Sequence, residues 1–429
     1  MAHAVRVALD LLVALLAAHL LGGVYVLLRG CLILRVWRRE APFVERAAIL
    51  KSPLTPGVSV LLALPNGSSD WHPLVRRLLG LEFAEFEVVV VLENATPADV
   101  QTWCRELRLF SAMDTIDGAL STSPIRGVYE SASSVRLVMV DKEAGRGGDA
   151  LDAAVNVASM PLLAWFDPET RFEQDALLRL VWPMLESGET LGVVGSVECE
   201  AGASILGSFA ELEFLRSWLG RSIAFAGWNA LLPRPGDALL VSRQAAIDAG
   251  GCSGGLAPLV AALHGRARIA GHKYRIPFIP DPLSRVEVED HIESVRHQVA
   301  RGQAWIAQTI RRAPSLPRGW NSLGRWGLSA LLFTRLIRPL AETALYLLVI
   351  AAALAGWISV GVALWVLLAA IASGTLISAA AVVLREVAEY TPAPPDRLMR
   401  LLVASLAEGF GYRQVRDLWM IRAFFAGEA

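Results

Sequence analysis

Apolar runs of two different lengths alternate with polar and amphipathic segments along this chain of 429 residues. Residues 11–28 read LLVALLAAHLLGGVYVLL, which is long enough to cross a bilayer, and a second apolar region covers residues 338–384. The segment WISVG at 357–361 is typical of a tight reversal within that second region. The pattern therefore predicts an N-terminal anchor and two C-terminal spans, over residues 338–356 and 360–384.

Basic residues predict how the first span is oriented. Arg29, Arg35, Arg38 and Arg39 follow it, whereas only Arg6 precedes it. Because cytoplasmic flanks carry the excess of Lys and Arg, everything after the first span is expected in the cytoplasm. A cleavable signal peptide would have a shorter core and a small-residue cleavage site, so the segment is interpreted as an anchor.

Shorter apolar runs alternate with helix-like segments between the two membrane regions. The runs are VSVLLAL from Val58, FEVVVVL from Phe86, VRLVMV from Val135 and LLAWF from Leu162. Continuous Val/Leu runs are typical of strands buried on both faces, and their alternation with helices predicts a mostly parallel sheet. Residues 111–133 are predicted to form a long polar loop.

Polar side chains follow three of these strands at the point where each strand ends. Asn66 follows the first strand, Glu93 the second, and Asp167 with Glu169 the LLAWF strand. Ligands bind at the carboxyl ends of parallel strands, so these groups are expected to converge on one site. Two carboxylates at i and i+2 can clamp a divalent cation; Asp167 can equally cap the turn that follows it.

Composition narrows the class of partner. A formal net charge of −1 argues against a nucleic-acid partner, and the 54% of hydrophobic residues is concentrated at the two ends. The four cysteines lack metal-ligand spacing and are expected to be reduced packing residues: Cys31, Cys104, Cys199 and Cys252.

Several segments keep the order and spacing that one protein family shares. They are VSVLLALPN, EFEVVVVLENAT, GGDALDAAVNVA, AWFDPETRFEQDAL, ELEFLR, PGDALLVSRQAAIDAGG, the stretch from YRIPF to SVRHQ, and GFGYRQVRDLWMIR. In this order they resemble the membrane-embedded family 2 glycosyltransferases, the group that includes cellulose, chitin and hyaluronan synthases. The resemblance covers nearly the whole chain.

The resemblance implies an α/β fold: a glycosyltransferase A-type, Rossmann-like nucleotide-binding domain with N- and C-terminal transmembrane helices. The implied location is the bacterial inner membrane, with the main domain in the cytoplasm. Residues 399–412 are expected to lie in the membrane interface, because Glu408 and flanking arginines disfavour crossing. The expected units are an anchor and linker over 1–50, the glycosyltransferase domain over 51–290, interfacial helices over 291–335, and a transmembrane pair with an interfacial helix over 336–429.

The metal-binding element of the family is matched in part. Asp167 matches the first Asp of the Asp-x-Asp pair, and Glu169 stands where the second is expected, with Pro168 stiffening the turn. An active member would use Mg²⁺ or Mn²⁺ to neutralise the departing diphosphate. The alternative interpretation leaves Asp167 as a turn cap and Glu169 on a solvated helix start.

The nucleotide-binding positions also depart from the family. Asn66 and Asp167 match, whereas Glu93 stands in a loop where members usually carry Asp-Asp. A phosphate-side Lys corresponds to Gly147, and the neighbouring Arg146 can supply a cation of different reach. The resemblance favours a UDP-sugar as the donor.

The catalytic base is the sharpest departure. The expected Glu-Asp pair falls on Gly255-Leu256, and no carboxylate occurs between Asp248 and Asp281. Loss of a positioned base costs roughly a hundred- to ten-thousandfold in rate. Asp237 is a weak candidate for a surrogate base, and the simpler interpretation makes it a turn residue.

The helix that resembles the family's Gln-x-x-Arg-Trp element keeps only its polar positions. Gln298 and Arg301 are present, and Gly302 replaces the Trp that would stack on an acceptor sugar. Trp305, one turn away, either compensates for that loss or anchors the helix at the membrane. One apolar side predicts an amphipathic helix: Ile292, Val295, Val299, Ile306 and Ile310.

Two functions follow from these departures. The favoured one is a pseudoenzyme, a nucleotide-binding or scaffold subunit that pairs with a polysaccharide synthase or export partner in the lipid bilayer. The alternative is an active, metal-dependent glycosyltransferase that moves a sugar to a lipid or glycan acceptor.

Overall fold

The computed structural model describes residues 2–37, 48, 50–65, 71–112, 118–252, 254–288, 291–388 and 393–426. These residues form a ten-stranded sheet and helices. The strands are β1 (Val58–Pro65), β2 (Phe86–Glu93), β3 (Leu109–Ala112), β4 (Ile125–Ser131), β5 (Arg136–Lys142), β6 (Leu162–Trp165), β7 (Thr170–Phe172), β8 (Gly192–Ala201), β9 (Ala238–Ser242) and β10 (Phe278–Val288). The helices are α1 (Ala2–Trp37), α2 (His72–Leu78), α3 (Pro97–Leu107), α4 (Asp149–Val157), α5 (Ala176–Glu186), α6 (Ile205–Ser217), α7 (Ala224–Gly227), α8 (Arg243–Asp248), α9 (Leu256–Ala270), α10 (Ile292–Arg312), α11 (Gly327–Leu332), α12 (Arg338–Leu354), α13 (Val360–Ala388), α14 (Pro395–Ala407) and α15 (Tyr412–Ala426).

The sheet is parallel in its centre and mixed at its edges. Its strand order is β3-β4-β5-β2-β1-β6-β9-β8-β10-β7, and β5, β2, β1 and β6 are parallel neighbours. The pairs β3–β4, β4–β5, β6–β9, β8–β9 and β7–β10 are antiparallel, whereas β8–β10 is parallel, so the prediction of a mostly parallel sheet is right for the centre and for that pair. The predicted loop over residues 111–133 instead contains the end of β3 and all of β4. Strands in such an edge hairpin are partly exposed and lack the apolar run that marks a buried strand.

The central strands are buried on both faces. Val89 and Val91 of β2 pack in a core with α4 and α9, whereas Val88 and Val90 pack in a second core with α2, α3 and α5. Helices on both faces explain why this strand reads as a continuous apolar run. Pairing aligns the last residues of β1, β2 and β5, so these strands end at one edge of the sheet.

Two helical segments are long and apolar enough to cross a membrane, Gly327–Leu354 and Val360–Val387. The chain reverses between them as predicted, and Gly356 takes a φ of 70° just past the end of α12. The apolar part of α1 is Leu20–Leu32, which is shorter than a bilayer span. The N-terminal span therefore stays a prediction.

The C-terminal helices pack on the sheet domain through buried ion pairs. Glu408, expected to face the membrane interface, is instead fully buried: Arg216 of α6 donates to its Oε2 at 2.6 Å and Ser378 to its Oε1 at 2.6 Å. Arg416 of α15 donates to Asp417 at 2.7 Å and to Glu213 of α6 at 3.1 Å. The segment that resembles a C-terminal family signature is thus a packing element that bonds α15 to α6.

A further hydrogen bond joins the apolar segment Val360–Val387 to the sheet. Arg385, near the end of α13, donates a hydrogen bond to Pro280 O on β10 at 2.8 Å. Its guanidinium also lies over the Trp218 ring, 5.1 Å from the centroid. The first part of β10 is therefore held against the C-terminal end of α13.

The four cysteines form no disulfide with one another in this structure, and their reduced state stays a prediction. Cys199 and Cys252 are buried in the packing, as expected, and Cys104 is half-buried. Cys31 is exposed on α1, so it is not a packing residue within this chain.

Replacement of Glu408 by Ala is expected to destabilise the protein strongly. Arg216 would keep a buried charge with one of its two carboxylate partners removed, and breaking a buried pair on one side costs about 3–5 kcal/mol. Thermal unfolding of the detergent-solubilised protein measures the effect. The matched control is Glu287→Ala, which removes an exposed pair with Arg171 and is expected to cost about 0–1 kcal/mol. Equal melting temperatures for the two variants would contradict the structural role of Glu408.

Candidate functional site

The carboxyl ends of β2 and β5 hold a buried cation between two acids. Lys142, at the end of β5, has a fully buried side chain that pairs with Asp149 and, at 3.5 Å, with Glu93. Its ammonium also donates to Glu143 O at 2.6 Å, and Gly145 N donates to Glu93 at 2.7 Å. Glu93 keeps 27% of its side chain exposed, so it can still accept a hydrogen bond from a ligand.

The loop after β5 carries the predicted phosphate-side cation. Arg146 is exposed there, just before α4. Gly147 and Gly148 follow with positive φ values of 21° and 91°, and Gly148 is the N-cap of α4. The exposed arginine and the positive end of the helix dipole favour an anion at this edge. Asn66, the fourth predicted nucleotide ligand, lies outside the described residues.

Asp167 and Glu169 lie in a tight turn at the carboxyl end of β6. Asp167 Oδ1 accepts a hydrogen bond from Glu169 N at 3.0 Å, and Asp167 O accepts bonds from Thr170 N at 3.0 Å and Thr170 Oγ1 at 2.8 Å. Burial raises the pKa of the Asp167 carboxyl above its ordinary value, and the bond from Glu169 N and the charge of Arg301 partly offset this rise. Asp167 therefore caps the turn and also presents a carboxylate at the sheet edge.

An ion pair joins this turn to the interfacial helix. Arg301 on α10 contacts Glu169 Oε2 directly, and both side chains are partly exposed. The two residues line a cleft of about 540 Å³, together with Gln298. Gln298 Oε1 is buried without a hydrogen-bond partner among the described residues, a state that a ligand hydroxyl can relieve. The fold thus brings together the predicted metal ligands and the predicted acceptor-side residues.

The carboxylates at the carboxyl end of β6 fit a divalent cation only if a bound diphosphate supplies further oxygen ligands. The described residues contain no group of three or more His, Cys, Asp or Glu side chains that could hold a metal. Mg²⁺ commonly binds through one or two carboxylates plus substrate phosphates, so Asp167 and Glu169 can serve if a diphosphate supplies further oxygens. Glu169 must first leave its pair with Arg301.

Asp237 does not have the environment of a base. Arg234 donates to both of its carboxylate oxygens, Nη2 to Oδ1 at 2.8 Å and Nε to Oδ2 at 3.0 Å. Arg234 N also donates to Oδ2 at 2.9 Å, and both side chains are buried. Protonation of Asp237 would leave the guanidinium buried without its counter-charge. The turn interpretation therefore fits this residue, and the surrogate-base interpretation does not.

Gly255, the first residue of the segment matched to the catalytic base, has a backbone conformation that disfavours any side chain. Gly255 has φ 91° and ψ 176°, a backbone state that is essentially restricted to glycine. A side chain at Gly254 would collide with the guanidinium of Arg312. Arg312 ends α10, eleven residues after Arg301 and about 16 Å along the helix axis. The Gly255-Leu256 segment thus meets α10 at its far end.

The position of the missing aromatic residue is open space. A Cβ at Gly302 would meet no protein atom within 4 Å, and Gly302 lines a small pocket of about 60 Å³ beside Gln298 and Arg301. Trp305 packs against the core cluster of the sheet domain. The ring is only half-buried, so the two roles predicted for it, the acceptor platform and the membrane anchor, stay predictions. The amphipathic helix itself is confirmed, although Ile292 is exposed.

Two residues near the site were missed by sequence reasoning. His297 lines the same cleft as Glu169, four residues before Arg301 and on the same helix face. The base positions of the family are carboxylates, so the resemblance does not single out this histidine. Asp152 of α4 accepts a hydrogen bond from Cys252 N and ties α4 to the loop before Gly255. No spacing in the sequence signals that contact.

Comparison with known proteins bears on the fold. No family model matches the chain, and no curated protein matches its sequence. A mannosyltransferase from Pyrobaculum calidifontis, solved in complex with GDP-Man and Mn²⁺, is 16% identical; the match covers 94% of this chain and 99% of that chain at a TM-score of 0.54. The chain has the glycosyltransferase A-type fold. The predicted fold class is thereby confirmed.

A second solved structure matches the chain less well. A glucosyl-3-phosphoglycerate synthase from Mycobacterium tuberculosis, in complex with Mn²⁺, UDP and glucosyl-3-phosphoglycerate, is 14% identical over 65% of this chain and 86% of that chain. Its TM-score of 0.37 is too low to add support. The resemblance to cellulose and chitin synthases stays a prediction, since the fold alone does not separate the subgroups.

The two acids at the start of α4 are expected to affect stability in opposite directions. Burial, followed by the charge of Asp149, raises the pKa of Asp152 to about 6, although the bond from Cys252 N opposes the rise. An acid with a raised pKa contributes stability below its unfolded pKa and loses it as the pH rises through about 6. Asp152→Asn keeps an oxygen acceptor for Cys252 N, so its melting temperature should exceed that of the wild type at pH 7.5 and match it at pH 4.

The matched control is Asp149→Asn. It removes a counter-charge of buried Lys142, so its melting temperature at pH 7.5 should fall below that of the wild type. Thermal unfolding of both variants at the two pH values measures the difference. A loss of stability in Asp152→Asn at pH 7.5 as large as that in Asp149→Asn would refute the assigned environment of Asp152.

Proposed function

We propose that this protein is a membrane-anchored, nucleotide-sugar-binding subunit with impaired catalysis, acting as a scaffold for a polysaccharide synthase or export complex in the bacterial inner membrane. The single observation that carries the proposal is the pairing of carboxylates with arginines around the site. Glu169 is bonded to Arg301, and Asp237 is bonded to Arg234 on both oxygens. Acids held in this way are poorly placed to take a proton from an acceptor hydroxyl.

Groups that suit a nucleotide diphosphate remain at the sheet edge. Glu93 is partly exposed for a base or ribose, Arg146 is exposed for a phosphate, and Gln298 offers an unsatisfied oxygen to a sugar hydroxyl. Asp167 and Glu169 are the residues that would hold Mg²⁺ or Mn²⁺, and the bound cation neutralises diphosphate charge. The similar mannosyltransferase was solved with a nucleotide sugar and Mn²⁺, which supports the same ligand class here.

The membrane setting and the scaffold role rest on further observations. Two helical segments can cross a bilayer by length and composition, and α14 and α15 are bonded to the sheet domain by buried ion pairs. Such a rigid link would keep the nucleotide site at a constant height above the membrane. A subunit built in this way suits docking beside an active synthase.

Calorimetry of the detergent-solubilised protein with UDP and with GDP, with and without Mn²⁺, tests the binding function. Binding is expected to be tighter with Mn²⁺, and Asp167→Ala should remove the Mn²⁺-dependent gain while Asp248→Ala keeps it. A cation needs the ionised carboxylate, and burial raises the pKa of Asp167. The Mn²⁺-dependent gain should therefore weaken as the pH is lowered, beginning at a higher pH than for an exposed aspartate. Absence of nucleotide binding in every condition would remove the proposal.

A second function is favoured by the position of His297. This imidazole lines the cleft beside Glu169 and Arg301, so an active glycosyltransferase could use it as the general base. Under this alternative, purified protein transfers or hydrolyses a UDP- or GDP-sugar, and His297→Ala lowers the rate about a hundred- to ten-thousandfold. His291→Ala, at the exposed start of α10, is the control and should leave the rate unchanged. Sugar-nucleotide turnover that depends on His297 would replace the scaffold proposal with the enzyme.

A further inference from the structure

Two long stretches of the chain lack acidic residues. Residues 249–280 and 294–341 contain no Asp or Glu, although both contain several basic residues. The whole chain has a formal net charge of −1. The positive charge of these stretches is therefore a local feature and not part of an excess spread over the whole molecule.

The fold packs the two stretches against each other. Arg318 Nη1 donates a hydrogen bond to Arg268 O, near the end of α9, at 3.1 Å. A Cβ at Gly265 of α9 would collide with Pro317 O, so the two backbones are in direct contact. The Arg268 guanidinium lies beside Gly324, where a Cβ would meet its Nη2 at 3.3 Å. The second half of α9 and the loop before α11 therefore form one surface.

Five basic side chains of this surface form what we call the basic face: Arg266, Arg268, Lys273, Arg318 and Arg325. All are exposed except Arg268, which is half-buried. Arg268 Nη2 donates to a backbone carbonyl, that of Asn229, at 2.9 Å, and the guanidinium lies 5.8 Å from the centroid of the Tyr274 ring. Among the residues that the structure describes, no acid pairs with any of the five. The basic face is therefore without counter-charges within this part of the chain.

Exposed apolar side chains border the basic face. Trp320 is 46% exposed, Trp326 71% and Ile269 64%. Trp326 directly precedes Gly327–Leu354, one of the two segments long enough to cross a membrane. Tryptophan is enriched at the boundary between hydrocarbon and headgroups, and basic residues flank the cytoplasmic ends of spans. The basic face therefore lies beside the end of a candidate span, at the level expected for headgroups.

These features favour a lipid surface over an acidic protein as the partner. Both partners would supply negative charge, but only the bilayer boundary also accommodates Trp326 and Ile269 beside the end of a span. Each Lys or Arg near an anionic membrane raises the affinity about fivefold. The net charge of −1 gives the rest of the chain no such attraction.

We propose that the basic face binds the membrane surface through the headgroups of phospholipids that carry a net negative charge. The inference rests on the membrane setting proposed above and not on the nucleotide site. The contact holds the C-terminal end of α9 against the bilayer. Because α9 begins at Leu256, directly after Gly255, the same contact would fix the position of the segment matched to the catalytic base.

Native mass spectrometry of the full-length protein in a neutral detergent tests the basic face, because bound lipids are resolved by their mass. The protein is mixed with equal amounts of phosphatidylglycerol, which is anionic, and phosphatidylcholine, which has no net charge. Phosphatidylglycerol should bind at least about tenfold more tightly, since several cations contribute. This preference should shrink when ammonium acetate is raised from about 0.05 M to about 0.5 M, because salt screens exposed charges.

A triple variant separates the basic face from other contacts with lipid: Arg266→Gln, Lys273→Gln and Arg325→Gln combined. The three side chains are exposed and form no hydrogen bond or ion pair with a described residue, so the variant should fold normally. Its preference for phosphatidylglycerol should fall at least about fivefold.

The matched control removes the same charge from helices on the opposite face of the sheet: Arg76→Gln, Arg77→Gln and Arg105→Gln combined. These three side chains are also exposed and form no ion pair with a described residue. The control should keep the preference of the wild type, because its net charge changes as much while the basic face stays intact.

Four outcomes would overturn the proposal. Equal affinity of the wild type for the two lipids, in protein that needs detergent to stay monodisperse, would refute the basic face and leave the membrane setting intact. Protein that stays monodisperse without detergent would refute the membrane setting as well. An equal loss of preference in the control would show that net charge selects the lipid. Polyglutamate that binds the wild type more tightly than phosphatidylglycerol, and the triple variant weakly, would identify an acidic protein as the partner.

Discussion

Buried pairing between arginines and carboxylates is the interaction on which the arrangement of this protein depends. Glu213 and Arg216 of α6 bond to Glu408 and Arg416 in the C-terminal region, and Arg397 at the start of α14 donates to Glu211 and Glu198. Each charge taken out of water must find a partner at close range, so the helices that carry them cannot shift independently. The C-terminal helices and the sheet are thereby held as one unit.

Pairing between arginine and carboxylate also determines what the candidate site can do. A carboxylate that is bonded to an arginine has its oxygens occupied, so it is poorly placed to take a proton from an acceptor. Glu169 and Arg301 illustrate this, since one residue matches a metal ligand and the other an acceptor-side cation, and the two neutralise each other across the cleft. Catalysis would require a base free of such a pair, and His297 and Glu293 both line that cleft.

The predictions from sequence were most accurate where burial dictates the pattern. β1, β2, β5 and β6 were recognised because strands covered on both faces must be apolar at every position. β4 was missed because it belongs to an edge hairpin with half-exposed side chains. The packing of Trp305 against the core was not predicted, since an aromatic residue on an amphipathic helix carries the same pattern in a ligand platform, a membrane anchor or a packing contact.

What the amino-acid sequence by itself determined was the alternating order of strands and helices, the apolar terminal segments and the edge where Glu93, Asp167 and Glu169 gather. Those features depend on local periodicity and on the rule that parallel strands end together. Only the tertiary structure decided which charges meet. The partners of Glu169, Asp152 and Glu408 lie 132, 100 and 192 residues away in the chain, and no local pattern records which side chains face each other across packed elements.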